Sequence, residues 1–146
     1  MNTIILQILE EIETIKQRYG KSVYYSCSDD EVEFFTNWVS QRLPIDENKL
    51  SDFIGFSKVA NALNFNGLFV YGVSKENEFN IFDMNEVWWD VEEQKQYLFL
   101  GHDDLSWFCI DSKTGDFCLL DKPSGSVEET YETFEDMLEQ MLDDIL

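Results

Sequence analysis

The sequence predicts an α+β fold: a twisted antiparallel β-sheet flanked by N-terminal helices and a C-terminal helix. Three observations carry that prediction. Apolar residues recur at helical spacing through the first part of the chain, the middle breaks into short aromatic and β-branched runs separated by Gly, Asn, Asp and Ser, and a helical stripe returns at the end.

Ile5, Ile8, Ile12, Ile15 and Tyr19 lie on one helical face, with Asn2 or Thr3 placed to cap its start and Gly20 to stop it. Ser28-Asp29-Asp30-Glu31 reads as a capping box, in which Ser28 and Glu31 satisfy each other's free amides, before Val32, Phe35, Trp38 and Val39; that helix should end at Leu43-Pro44. Asp46 can cap a third helix bearing Leu50, Phe53, Ile54, Phe56, Val59 and Leu63, expected to run to about residues 64–67. The period then changes, and residues 68–73, 79–82, 97–100, 106–110 and 116–120 read as antiparallel strands. Asp111-Ser112-Lys113-Thr114-Gly115-Asp116 suits a four-residue hairpin loop with Gly115 left-handed, a register that sets Cys109 opposite Cys118, close enough for oxidation to be conceivable, with two buried free thiols the expected state. Val127, Tyr131, Phe134, Leu138, Met141, Leu142 and Ile145 form the closing helical stripe.

The 146 residues fit one domain, and an apolar share of 44% supplies enough core-forming side chains for it to fold alone. Thirty acidic against ten basic residues leave a formal charge of -20, roughly one uncompensated charge per 400 Å² of a monomer's expected surface. Such a surface repels nucleic acid and anionic membranes, so neither is expected as a partner; a basic protein is the natural complement, although high charge also serves solubility alone. The start, Met1-Asn2-Thr3-Ile4-Ile5, has no basic region or small-residue cleavage site, no apolar run approaches the roughly 20 residues of a membrane span, and three cysteines are an odd number for a disulfide framework. The cytoplasm is the expected compartment.

His102 is the only histidine, which removes two-histidine zinc sites and histidine-rich metal centres. His102-Asp103-Asp104 therefore reads as a polar loop, and Cys27, Cys109 and Cys118 lack metal or redox spacing. No nucleophile elbow, phosphate loop or dinucleotide fingerprint is present. The expectation is a protein without catalytic residues, metal or cofactor.

The segment Asp83-Met84-Asn85-Glu86-Val87-Trp88-Trp89-Asp90-Val91-Glu92-Glu93 is distinctive because adjacent tryptophans cannot share one side of a strand. Two readings stand side by side. Either one Trp is exposed among carboxylates as a hot spot, or both are core on opposite faces of a covered sheet.

In element order the chain resembles the SUKH superfamily, which groups bacterial immunity proteins with yeast cell-wall synthesis regulators. The resemblance rests on Leu43-Pro44 before the helix holding Phe53, Asn66-Gly67 leading into Leu68-Phe69, Tyr97-Leu98-Phe99-Leu100-Gly101 before the strand from Trp107 to Asp111, the Thr114-Gly115 turn, and a closing helix with Phe134 and Leu138. It spans residue 40 to the end, so residues 1–42 read as a helical N-terminal extension of one SUKH-like domain, residues 1–146. The usual glycine-rich turn after Gly101 is here His102-Asp103-Asp104-Leu105-Ser106, without a further glycine.

The resemblance implies an immunity protein that binds and neutralises a cognate toxin domain, of nuclease or deaminase type, through direct contact with its basic surface. The residues expected to make that contact are Asp83, Glu86, Trp88, Trp89, Asp90, Glu92, Glu93, Asp103 and Asp104. The alternative is a stand-alone regulatory adaptor, or an acidic DNA mimic, that binds a host or phage protein.

Overall fold

The computed structural model describes residues 1–146. Its fold is α+β, built from five α-helices and one antiparallel sheet of six strands in the order β1-β2-β3-β4-β5-β6. Every strand therefore pairs with its neighbours in sequence; the connections are short except between β2 and β3, where residues 71–96 intervene.

The first three helices start where side chains can satisfy free amides. The Asn2 side chain accepts from the Ile5 amide at 2.9 Å and opens α1, Thr3–Gln17. Both halves of the Ser28–Glu31 capping box form, at 3.2 and 2.8 Å, and start α2, Asp29–Ser40. Asp46 accepts from the Asn48 amide and opens α3, Glu47–Ala60.

The third helix stops short of residues 64–67, because the chain turns back at once as a hairpin. β1, Asn64–Phe65, pairs with β2, Leu68–Val70, across Asn66-Gly67, both with positive φ (48° and 83°) as a two-residue hairpin turn requires.

Residues 79–82 are not a strand. Asn80 caps α4, Ile81–Trp88, by accepting from the Asp83 amide at 2.9 Å, and Ile81, Asn85 and Trp88 then recur at helical spacing. A short 3-10 turn, Glu92–Gln94, leads into β3, Tyr97–His102. β4, Ser106–Asp111, and β5, Phe117–Asp121, form the expected hairpin: Gly115 has φ +79°, the Asp111 amide donates to the Asp116 carbonyl at 2.9 Å, and Cys109 lies opposite Cys118. Both thiols are free and buried, as is Cys27.

The closing stripe is likewise divided. Val127–Tyr131 is an edge strand, β6, and only after Thr133 caps the Asp136 amide does α5, Phe134–Ile145, begin. Val127 and Tyr131 fit a helical stripe by spacing alone, yet the strand places four consecutive residues, Val127 to Thr130, in solvent.

The two faces of the sheet bury different aromatics. Phe117 packs on Phe134 of α5, which meets Phe53 and Phe56 of α3. On the opposite face Trp107 meets both Phe99 and Trp88 of α4. Helix α1 lies along α5, where the Asn2 amide donates to Glu135 at 3.1 Å, and its Ile5, Leu9 and Ile12 join the same apolar core as the sheet.

Candidate functional site

Helix α4 and the turn between β3 and β4 carry all nine residues expected to bind a partner, together with the segment 89–93 that follows the helix. The helix is held on β3 by one side chain. Asn85 is fully buried, its Oδ1 accepting from the Phe99 amide at 2.8 Å and its Nδ2 donating to the Phe99 carbonyl at 2.9 Å. Strand β2 ends at Val70, so the outer edge of β3 at Phe99 has no strand beside it, and the Asn85 amide takes that strand's place.

Trp88 and Trp89 end the helix on different sides, and both are half-buried. The Trp89 indole stacks on Trp38 of α2 at 5.5 Å and donates to the Tyr97 carbonyl at 2.7 Å. Arg42 covers the other edge of this stack, 4.7 Å from the Trp38 ring centre, and its guanidinium sits 3.8 Å from Glu86. A groove of about 450 Å³ runs between Arg42, Leu43, Glu86, Trp89, Asp90 and Lys95. Trp88 instead points towards the sheet, where its indole donates to the Tyr71 hydroxyl at 2.9 Å.

That hydroxyl lies 2.5 Å from His102 Nδ1. The Tyr71 oxygen also accepts from Trp88, and the Tyr71–His102 bond runs in the direction that the imidazole tautomer sets. Burial, reinforced by the nearby Lys122 ammonium, pushes the His102 pKa down to about 4, against the pull of Asp103 and Asp104. Lys122 extends over this cluster, 5.8 and 5.9 Å from the Trp88 and Trp107 rings, and donates to the Asp103 carbonyl at 3.1 Å.

The predicted carboxylates thus divide into two groups. Glu86 pairs with Arg42, Glu92 pairs with Lys95 at 2.8 Å, and Asp83 accepts from Asn80 Nδ2 at 3.0 Å. The Asp103 carboxylate closes its own turn, accepting from the Leu105 and Ser106 amides at 2.9 and 2.8 Å. Asp90, Glu93 and Asp104 are exposed and make no salt bridge.

Sequence reasoning missed the apolar members of this surface. Val87 is 57% exposed, Val91 50% and Leu105 75%. Leu105 lies in the β3–β4 turn, Val87 faces outward because residues 81–88 are helical, and Val91 sits in the segment between α4 and the 3-10 turn. Arg42, just past the end of α2, reaches back to Trp38, its guanidinium donating to the Trp38 carbonyl at 3.2 Å.

No family model matches the chain, and no curated protein matches it. A fold likeness is found among solved structures. The chain is similar to the crystal structure of a protein from Pseudomonas syringae pv. tomato, with a TM-score of 0.59 and 14% identity over 95% of this chain and 96% of that chain. At that identity the likeness carries the arrangement of helices and strands across nearly the whole of both chains, and nothing of function. No helix is long and apolar enough to cross a membrane, and no group of three or more His, Cys, Asp or Glu side chains is placed to hold a metal ion.

Proposed function

We propose that this chain binds a partner protein that carries a basic surface, and that it acts as an immunity protein of SUKH type, neutralising a toxin domain by covering it. The observation that carries this reading is the surface around the end of α4. Val87 and Val91 expose apolar area at and just after the end of α4, Leu105 does so in the β3–β4 turn that follows His102, whose ring packs against the half-buried Trp88, and Asp90, Glu93 and Asp104 in these segments make no salt bridge. An apolar centre supplies binding energy once water is excluded, and an acidic rim speeds encounter with a basic partner and selects it. Arg42 and Lys95 occupy Glu86 and Glu92 at the margin, so the rim is formed by fewer carboxylates than the segment contains.

The test is calorimetry and stopped-flow binding against the toxin domain encoded beside this chain's gene, at two salt concentrations. Leu105→Asp should weaken binding at least tenfold through dissociation. The double variant Asp90→Lys/Asp104→Lys should slow association at least tenfold at low salt and flatten its salt dependence. Asp103 is left intact because its carboxylate builds the turn. Unchanged kinetics in both variants would move the interface off this face.

One feature favours the second reading, an adaptor or DNA mimic. From Val127 to the end of the chain there are eight acidic side chains and no Lys or Arg, and the one cation that meets them is the Met1 amino group, 3.8 Å from Glu135. Binding to each class of partner separates the two readings: a mimic binds a DNA-binding protein and is displaced from it by double-stranded DNA, whereas a toxin-covering protein binds the toxin domain and loses affinity in Leu105→Asp.

A further inference from the structure

We propose that the outer edge of β6 accepts an extended, lysine- or arginine-bearing segment of a partner protein as an added strand. The edge is open. β6 is the last strand of the sheet, and Val127, Glu128, Glu129 and Thr130 are all exposed. The direction of its free groups follows from the ladder. The Asp111 amide donates to the Asp116 carbonyl between β4 and β5, and the Asp121 amide donates to the Ser126 carbonyl beyond β5. Even-numbered residues of β5 thus bond towards β4 and odd-numbered ones towards β6, so Leu119 bonds to its register partner Glu129 and Phe117 to Tyr131. Thr130 then turns its N–H and C=O away from the sheet, where nothing in the chain pairs with them.

The occupant is selected by charge. An open edge invites another strand, and natural proteins block that with charged side chains. Here Glu128, Glu129 and Glu132 repel a second copy of β6, since like charges would face each other across the new pair. The same carboxylates favour a strand with Lys or Arg at the facing positions. At the other end of the sheet β1 is only two residues long, which gives too few backbone groups to template a strand. The inference does not depend on the α4 surface being the toxin-binding face, because the backbone groups it uses belong to β6 alone.

The experiment titrates the intact, isotopically labelled protein with a synthetic peptide of alternating Lys and Val, and reads amide shifts and hydrogen exchange by NMR. A control peptide has the same sequence with alternate backbone amides N-methylated, which keeps its charge and removes its strand donors. The expected result is a shift of the β6 resonances and at least tenfold slower exchange of the Thr130 amide. The methylated peptide should bind at least tenfold more weakly, and so should the unmodified peptide to Glu128→Lys/Glu129→Lys. In Asp90→Lys/Asp104→Lys the β6 response should persist. Equal binding of the two peptides, shifts confined to α4, or no change at Thr130 would each overturn the proposal.

Discussion

Replacing Asn85 by alanine removes the group that stands in for a strand at the open edge of β3. The Phe99 N–H and C=O, bonded to Asn85 at 2.8 and 2.9 Å, would both lose their partner inside a region from which water is excluded. An unsatisfied buried backbone group costs about 1–3 kcal/mol, so the pair should cost about 3–5 kcal/mol. The bond from Asn85 Nδ2 to the Ile81 carbonyl, 2.7 Å, lies within α4 and adds little, because that carbonyl already has its helical partner. Against a total stability of about 5–15 kcal/mol the loss is a large fraction. Urea unfolding with a slope of about 2 kcal/mol/M should show the midpoint falling by roughly 2 M. Asn85→Asp separates the two bonds: its carboxylate can still accept from the Phe99 amide but presents a second acceptor to the Phe99 carbonyl, so it should be destabilised as well. A midpoint within about 0.5 M of the parent protein for Asn85→Ala would mean that α4 is held on the sheet by its apolar contacts and that the amide is dispensable.

Gly101→Ala should destabilise through close backbone approach: an added Cβ would sit 2.4 Å from the Phe69 carbonyl oxygen across the β2–β3 pair. Pushing the strands apart costs about 2–3 kcal/mol, which calorimetry should register as a melting temperature lowered by roughly 5–10 °C; an unchanged melting temperature would contradict the tight β2–β3 packing. Acid should also weaken the fold through His102, whose folded pKa of about 4 lies below its ordinary value of 6.5. The unfolded chain takes up the proton first, so this stability is present above pH 6.5 and is lost as pH falls from there to about 4. Discounted for the solvent that still reaches the ring, the loss is about 1–2 kcal/mol, and urea unfolding of His102→Gln at pH 7 and pH 4.5 should show a correspondingly smaller drop than the parent. Parallel pH profiles for the two proteins would remove His102 as the cause.

Much of the architecture is written in short-range chemistry, and there the sequence was sufficient. Asn2, Ser28 and Asp46 start their helices because a side-chain oxygen two or three residues from a free amide needs no tertiary contact to reach it. Gly115 fixes the β4–β5 hairpin for the same local reason, and its register follows, down to Cys109 facing Cys118. Besides the end of α3, two segments were misread, and they are those where local signals conflict with packing. Residues 79–82 are aromatic and apolar enough for a strand, but Asn80 caps a helix there and Asn85 finds its partners on β3, fourteen residues away in sequence. Val127 to Thr130 lie exposed on an edge, so no alternation of burial marks them as a strand, and their pairing with β5 sets them there. The candidate site divides in the same way. Its carboxylates and tryptophans could be picked out by type. Which carboxylates are taken by Arg42, Lys95 or their own turn, and that Val87, Val91 and Leu105 are left in water, depends on elements distant in sequence meeting at α4, and the tertiary structure alone decides that.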